Sequence, residues 1–317
     1  MTSPRRVVLL AGGFGGARMA HGFALLGDAV DLTVIGNTGD DIELHGLHIS
    51  PDLDTVMYTL AGMANERTGW GVRDETWSAA EMLARYGQPT WFSLGDRDLA
   101  THITRSSRLA AGARLTTVTA ELARALGVRA ALLPMSDDPV RTKVRTAQGW
   151  LDFQDYFVRR GHADDVLELR FEGIDRALPS AEVVRSLEAA DVIVIAPSNP
   201  FVSVAPIVGL PGMIEALGRQ PAPVVAVSPI VGGAALRGPA AAMMGSVAKQ
   251  PPTSAGVAAH YAVTWPGLVD VLVIDAADAA EAAAVAATGI EPLVTRTVIG
   301  QVEDRRRLAE ELLRLGR

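Results

Sequence analysis

Five short, almost unbroken apolar runs limit what this chain can fold into: Val7–Ala11, Leu32–Ile35, Val192–Ile195, Val224–Val227 and Val271–Ile274. A strand with one wet face alternates apolar and polar residues. A strand covered on both faces has no reason to alternate, and it reads as continuous apolar sequence. The runs therefore predict a parallel sheet sandwiched between helices. Helical patterns fall between them. Ser180 is placed to cap a helix with Val183, Val184 and Leu187 on one face, and Ala276–Ala287 is an Ala-rich helix closed by Gly289. Val302–Leu315 is a last amphipathic helix carrying charged pairs four residues apart. This alternation predicts an α/β fold: a three-layer, doubly wound, mostly parallel, Rossmann-like sheet.

The 317 residues suffice for two domains or one large α/β unit. Between Thr55 and Leu178 the character changes. Charge rises, helical signals dominate at Trp77–Tyr86 and Thr119–Leu126, and Trp70, Trp77, Trp91 and Trp150 cluster along the chain with Tyr156. The expected organisation is one α/β domain over 1–317, with its core in 1–55 and 179–317 and a mainly helical insertion over about 56–178.

Composition closes off several functions. The chain has no cysteine, which removes disulfides, thiolate metal sites and cysteine nucleophiles together. A net charge of -7 argues against a nucleic-acid partner, because phosphate backbones are gripped by basic faces. The most apolar stretch, Val202–Leu217, contains Pro206, Pro211 and Glu215 and is too short to span a bilayer. Arg5-Arg6 before Val7–Ala11 imitates a signal peptide, but the run stops at Gly12-Gly13, so no membrane partner and a cytoplasmic location are expected.

The ends of the strand runs carry the chemistry. The first enters Gly12-Gly13-Phe14-Gly15-Gly16, where missing side chains let a ligand approach the backbone and a helix N-terminus can meet an anion. The dinucleotide fingerprint fails at Arg18, and the P-loop lysine is absent, so this is a phosphate loop of neither standard kind. The second run enters Asn37-Thr38-Gly39-Asp40-Asp41 and then Ser50-Pro51-Asp52-Leu53-Asp54. Four carboxylates so close repel one another without a cation, and hard oxygen ligands suit Mg²⁺. Turns and a helix cap would use the same residues. The runs at Ile195 and Val227 end in Pro197-Ser198-Asn199-Pro200 and Ser228-Pro229-Ile230-Val231-Gly232. Convergence of such loops on one sheet edge describes an anion site better than any loop alone. Gly95-Asp96-Arg97-Asp98, with Thr101, His102 and Arg105, reads as a surface ion-pair network at a helix start, and Ser136–Pro139 as a turn. His45-x-x-His48 has metal-ligand spacing, but Gly46 breaks the helix that would align the pair. No nucleophile with an adjacent base is evident, so the residues point to transfer of a phosphoryl-type group by positioning and a metal.

Taken in order, these loops together with Leu133–Pro139 and Phe153-Gln154-Asp155 resemble the 2-phospho-L-lactate transferase family of coenzyme F420 biosynthesis, over about residues 6–275. The resemblance implies a reaction. The ribityl hydroxyl of a deazaflavin, Fo, attacks a guanosine diphosphate that carries a three-carbon acid. GMP leaves, and a phosphodiester joins Fo to the acid. It further implies Mg²⁺, a homodimer, and roles for individual residues. Asp54 and Arg97 would bind Fo, with Asp54 also catalytic. Asp41 and Asp52 would hold the metal. Gly12, Gly13, Gly15, Gly16, Ser198, Asn199, Ser228 and Gly232 would line the nucleotide. Phe14 replaces the small residue that many relatives carry in the first loop, which bears on side-chain contact there but not on backbone contact. Lactyl, enolpyruvyl and glyceryl donors all stay open. The competing readings are a nucleotide- or sugar-nucleotide-binding regulator on the same scaffold and, less favoured, an NAD-dependent dehydrogenase.

Overall fold

A computed structural model describes residues 3–219, 221–235 and 238–316. Seven parallel strands form the central sheet: β1 (Arg5–Ala11), β2 (Val30–Gly36), β3 (Ala131–Pro134), β4 (Val192–Ile195), β5 (Val224–Val227), β6 (Val271–Asp275) and β7 (Glu291–Thr295). Their order across the sheet is β3-β2-β1-β4-β5-β6-β7. Leu9 in β1 sits between Val34 of β2 and Val194 of β4, which fixes the register at the centre.

The unbroken apolar runs are explained by two cores. Val7, Leu9 and Ala11 face one, with Val192 and Val194; Val8 and Leu10 face the other, with Ile193 and Ile195. On the first side lie helices Gly13–Ala24, Pro51–Leu60 and Val302–Leu313, which bury Met19, Phe23, Val56, Met57, Leu308 and Leu312. On the second side lie Ala181–Ala189 and Ser254–Thr264 with Val183, Leu187, Val257 and Tyr261. The three-layer α/β expectation holds. So does the Ser180 cap, whose hydroxyl accepts from the Val183 N–H. Where the first and last helices cross, a Cβ on Gly22 would lie 2.4 Å from the Arg305 carbonyl oxygen, so only glycine fits.

Two strands escaped the sequence reading. β3 has four residues, and β7 is partly exposed and contains Pro292; both lie at edges, where a strand has no need to be apolar on both faces. β3 falls inside the stretch 56–178. Beside helices Ser78–Arg85, Asp96–Ala110 and Leu115–Ala125, that stretch holds an edge strand of the main sheet and an antiparallel sheet of Arg141–Thr146, Gly149–Asp152 and Glu168–Glu172. Its tryptophans Trp70, Trp77 and Trp150 are exposed. No helix among the described residues is long and apolar enough to cross a membrane.

Candidate active site

In a sheet of this order the direction of winding reverses between β1 and β4, and the loops leaving their carboxyl ends must part and leave a crevice. A cavity of about 780 Å³ occupies that place. Its floor is Gly12, Gly13 and Gly15 from the β1 loop and Pro197–Asn199 from the β4 loop. Their approach is close: a Cβ on Gly15 would stand 2.3 Å from the Pro197 carbonyl oxygen. The Ser198 hydroxyl ties the loops together, donating to the Gly12 carbonyl at 2.8 Å and accepting from the Gly12 N–H at 3.2 Å. Ser228 and Pro229, past β5, continue the wall. Of the eight residues expected at the nucleotide, Gly12, Gly13, Gly15, Ser198, Asn199 and Ser228 line the cavity. Gly16 and Gly232 do not: Gly16 packs under the loop against Ala11 and Ser198, and the Gly232 N–H donates to the Asp278 carboxylate.

The carboxylates sort themselves by their partners. Asp52 lines the cavity; one oxygen accepts from the Gly13 N–H at 2.8 Å and the other from Asn37 Nδ2 at 2.9 Å. Burial raises its carboxyl to about 6, against those two bonds, with the Asp41 charge adding to the rise. Asp41 turns away from the cavity, accepting from His48 Nε2 at 2.9 Å and the Ser50 hydroxyl at 2.8 Å. Asp40 is the second acid in the wall. Its Oδ1 is buried without a hydrogen-bond partner, and burial, then the Asp52 charge, push its carboxyl well above the usual carboxylate range. The pair expected at a metal was Asp41 and Asp52; the pair facing the cavity is Asp40 and Asp52. Of the adjacent Asp40 and Asp41, both buried, Asp40 lines the cavity and Asp41 is bonded to His48 and Ser50, which spacing alone cannot order. Two crowded acids, one with an orphaned oxygen, fit a divalent cation that completes its shell with water and phosphate oxygens. Among the described residues no three His, Asp or Glu side chains gather as a full cage. His45 and His48 belong to the hairpin Ile42–Leu44/Leu47–Ile49, with His45-Gly46 as its turn.

Asp54 follows one turn into the Pro51–Leu60 helix and also lines the cavity. Both its oxygens are held by the guanidinium of Arg105, Nη1 reaching Oδ2 at 3.0 Å and Nη2 reaching Oδ1. Arg105 Nη1 also lies 3.3 Å from His102 Nδ1. His102 Nε2 is 3.2 Å from Asp98 Oδ1, which accepts from the Tyr58 hydroxyl at 2.7 Å. Burial, then the charges of Asp54 and Asp98, keep the Tyr58 phenol protonated. Arg105 and His102 are 1% exposed, Asp54 4% and Asp98 7%. The expectation of a surface network is thus overturned. The Asp96–Ala110 helix turns Asp98, His102 and Arg105, spaced at i, i+4 and i+7, inward as one stripe. That spacing was the available signal, and polar residue types masked it. Arg97 falls to the side of that stripe. It is exposed, donates to the Arg73 carbonyl at 3.3 Å, and is not part of the cavity wall. Aromatic rings complete the enclosure: Tyr58, Trp70 and Phe92, and Phe153 and Phe157 stacked at 5.4 Å.

The sequence model described as 2-phospho-L-lactate transferase CofD matches residues 7–304. The chain belongs to the CofD family. A phosphoenolpyruvate transferase of Kitasatospora aureofaciens is 46% identical over 98% of both chains. A 2-phospho-L-lactate transferase of Methanosarcina acetivorans is 38% identical over 96% of this chain and 97% of its own. A crystal structure of a UPF0052 family protein from Bacillus halodurans superposes with a TM-score of 0.69 at 16% identity, covering 99% of this chain and all of that one, and shares the fold. The CofD chain is therefore a transferase of the phosphoenolpyruvate or 2-phospholactate type, with its family match reaching about thirty residues beyond the loops that suggested it.

Proposed function

We propose that the protein moves a phosphoenolpyruvyl group from an enolpyruvyl-diphosphoguanosine donor to the ribityl hydroxyl of Fo, releasing GMP and forming dehydro-F420-0. The observation that carries this reading is a cavity in which a glycine-walled anion floor meets a fixed carboxylate, Asp54, between aromatic walls. The floor suits a diphosphate, the aromatic rings suit planar ring systems, and Asp54 suits a hydroxyl. Enolpyruvyl is chosen among the three acids because the relative at 46% identity bears that name, against 38% for the phospholactate one.

The backbone around Gly12–Gly15 and the side-chain amide of Asn199 hold the diphosphate, Ser198 fixing the glycine loop in place through its hydroxyl, with the nucleoside running toward Ser228 and Pro229. Asp40 and Asp52 hold Mg²⁺, which when bound offsets phosphate charge and sharpens the electrophilicity of phosphorus. Asp54 accepts the hydrogen bond of the attacking hydroxyl and takes its proton as the new P–O bond forms. The bond to the GMP phosphate oxygen breaks, and GMP carries that electron pair away. Little covalent chemistry is asked of the protein, in keeping with phosphoryl transfer by positioning.

The test mixes protein, Mg²⁺ and Fo with the lactyl, enolpyruvyl or glyceryl donor and reads products by mass spectrometry. Dehydro-F420-0 plus GMP in the enolpyruvyl tube is expected. Product only in another tube replaces the donor, and no product with no change in Fo fluorescence on mixing rejects the acceptor.

A further inference from the structure

Asp54 is useful to a hydroxyl only if its free lone pairs point into the cavity, yet a helical aspartate has several rotamers available to it. We propose that Arg105 is the residue that positions Asp54, and that His102 in turn positions Arg105. The inference rests on the role given to Asp54 above.

The geometry supports each link. The guanidinium binds the carboxylate through both oxygens, so it fixes the plane of the group as well as its place. A carboxylate offers about four lone-pair sites, and a bidentate arginine leaves the rest free for a substrate hydroxyl. Arginine only donates. His102 Nδ1, 3.3 Å from Arg105 Nη1, is therefore an acceptor, and its proton sits on Nε2, facing Asp98 at 3.2 Å. Tyr58 donates to the same Asp98 oxygen. The hydrogen bonds run from His102 through Arg105 to Asp54, and a close contact without a hydrogen bond joins His102 Nε2 to Asp98, all on the Pro51–Leu60 and Asp96–Ala110 helices. Arg105 also reaches the His48 carbonyl at 3.5 Å, which braces it from the neighbouring hairpin. Arg105 does not line the cavity, so it acts on substrate through Asp54.

The experiment is a double-mutant cycle on the full-length protein with Mg²⁺, Fo and the active donor. Arg105→Lys keeps the charge and loses the fork. It should lower kcat by about 10²-fold, the cost of displacing a catalytic group by an ångström, and leave the donor KM unchanged. Added to Asp54→Asn, it should cost nothing further. Wild-type kcat in Arg105→Lys, or losses that multiply in the double variant, overturn the positioning role. Full activity in Asp54→Asn alone instead removes the role of Asp54, and this inference with it. If Arg105→Lys melts too early to assay, His102 gives the second route. His102→Asn keeps an acceptor near Nδ1 and should retain more kcat than His102→Leu at equal melting temperature. Equal kcat in the two variants rejects the chain.

Discussion

The two sides of the cavity are built by different means. The floor between β1 and β4 is backbone: glycines without Cβ atoms, helix N–H groups and one bridging serine. The wall over the Pro51–Leu60 and Asp96–Ala110 helices is side chain, a buried row of two carboxylates, a histidine and a tyrosine with an arginine behind them. A backbone site is pre-formed by the fold and tolerates no added atoms. A buried charged site is held in shape by its partners and fails when one is removed. The first stores its specificity in space, the second in electrostatics.

This difference can be broken at several points. Asp54→Asn carries the largest effect expected. It keeps size but loses one arm of the Arg105 fork and cannot take a proton, and kcat should fall by about 10²–10⁴-fold with an unchanged circular dichroism spectrum. An active Asp54→Asn would make the side-chain wall passive. Gly15→Ala tests the floor. Its new methyl meets the Pro197 carbonyl oxygen at 2.3 Å and should cost about 1–3 kcal/mol of stability, seen in urea melts, while raising the donor KM. Unchanged stability would mean that the loops are free to part.

The third prediction concerns pH. The Asp52 carboxyl, raised to about 6, exceeds its unfolded value of roughly 3.9. Between those values the folded protein binds more protons than the unfolded chain. Its contribution to stability is therefore present below pH ~4 and lost as pH rises through about 6. Asp52→Asn has no such proton to lose. In cation-free buffer its melting temperature relative to wild type should climb from pH 4 to pH 7. A flat difference would mean that the Asp52 carboxyl is not raised in the folded protein. The smallest effect is His45→Asn. His45 sits at φ +54° in the hairpin turn, a conformation Asn-Gly adopts readily. Stability should rise by no more than about 0.5 kcal/mol with activity intact. Loss of activity there would bring the His45–His48 pair back as ligands.

The same contrast governs what could be read beforehand. The strands β4 and β5 were placed to the residue, because burial on both faces leaves a pattern that no local alternative imitates. The edge strands Ala131–Pro134 and Glu291–Thr295 were missed, since an edge needs less apolar sequence. The glycine floor was legible, because a missing Cβ is itself a sequence signal. Asp98, His102 and Arg105 were visible as residues, yet their polarity argued for the surface, and only their mutual partners make burial tolerable.

By itself, then, the sequence determined the layered α/β sheet, the end of the sheet at which the loops converge on a cavity, and the glycine loops that floor it. These follow from burial and sterics, which act residue by residue. The tertiary structure decided which of Asp40 and Asp41 faces the cavity, that Arg97 stays outside it, and that Arg105 meets Asp54 across fifty-one positions of chain. Those outcomes depend on which charge meets which partner, and a partner's place is known only once the helices have packed.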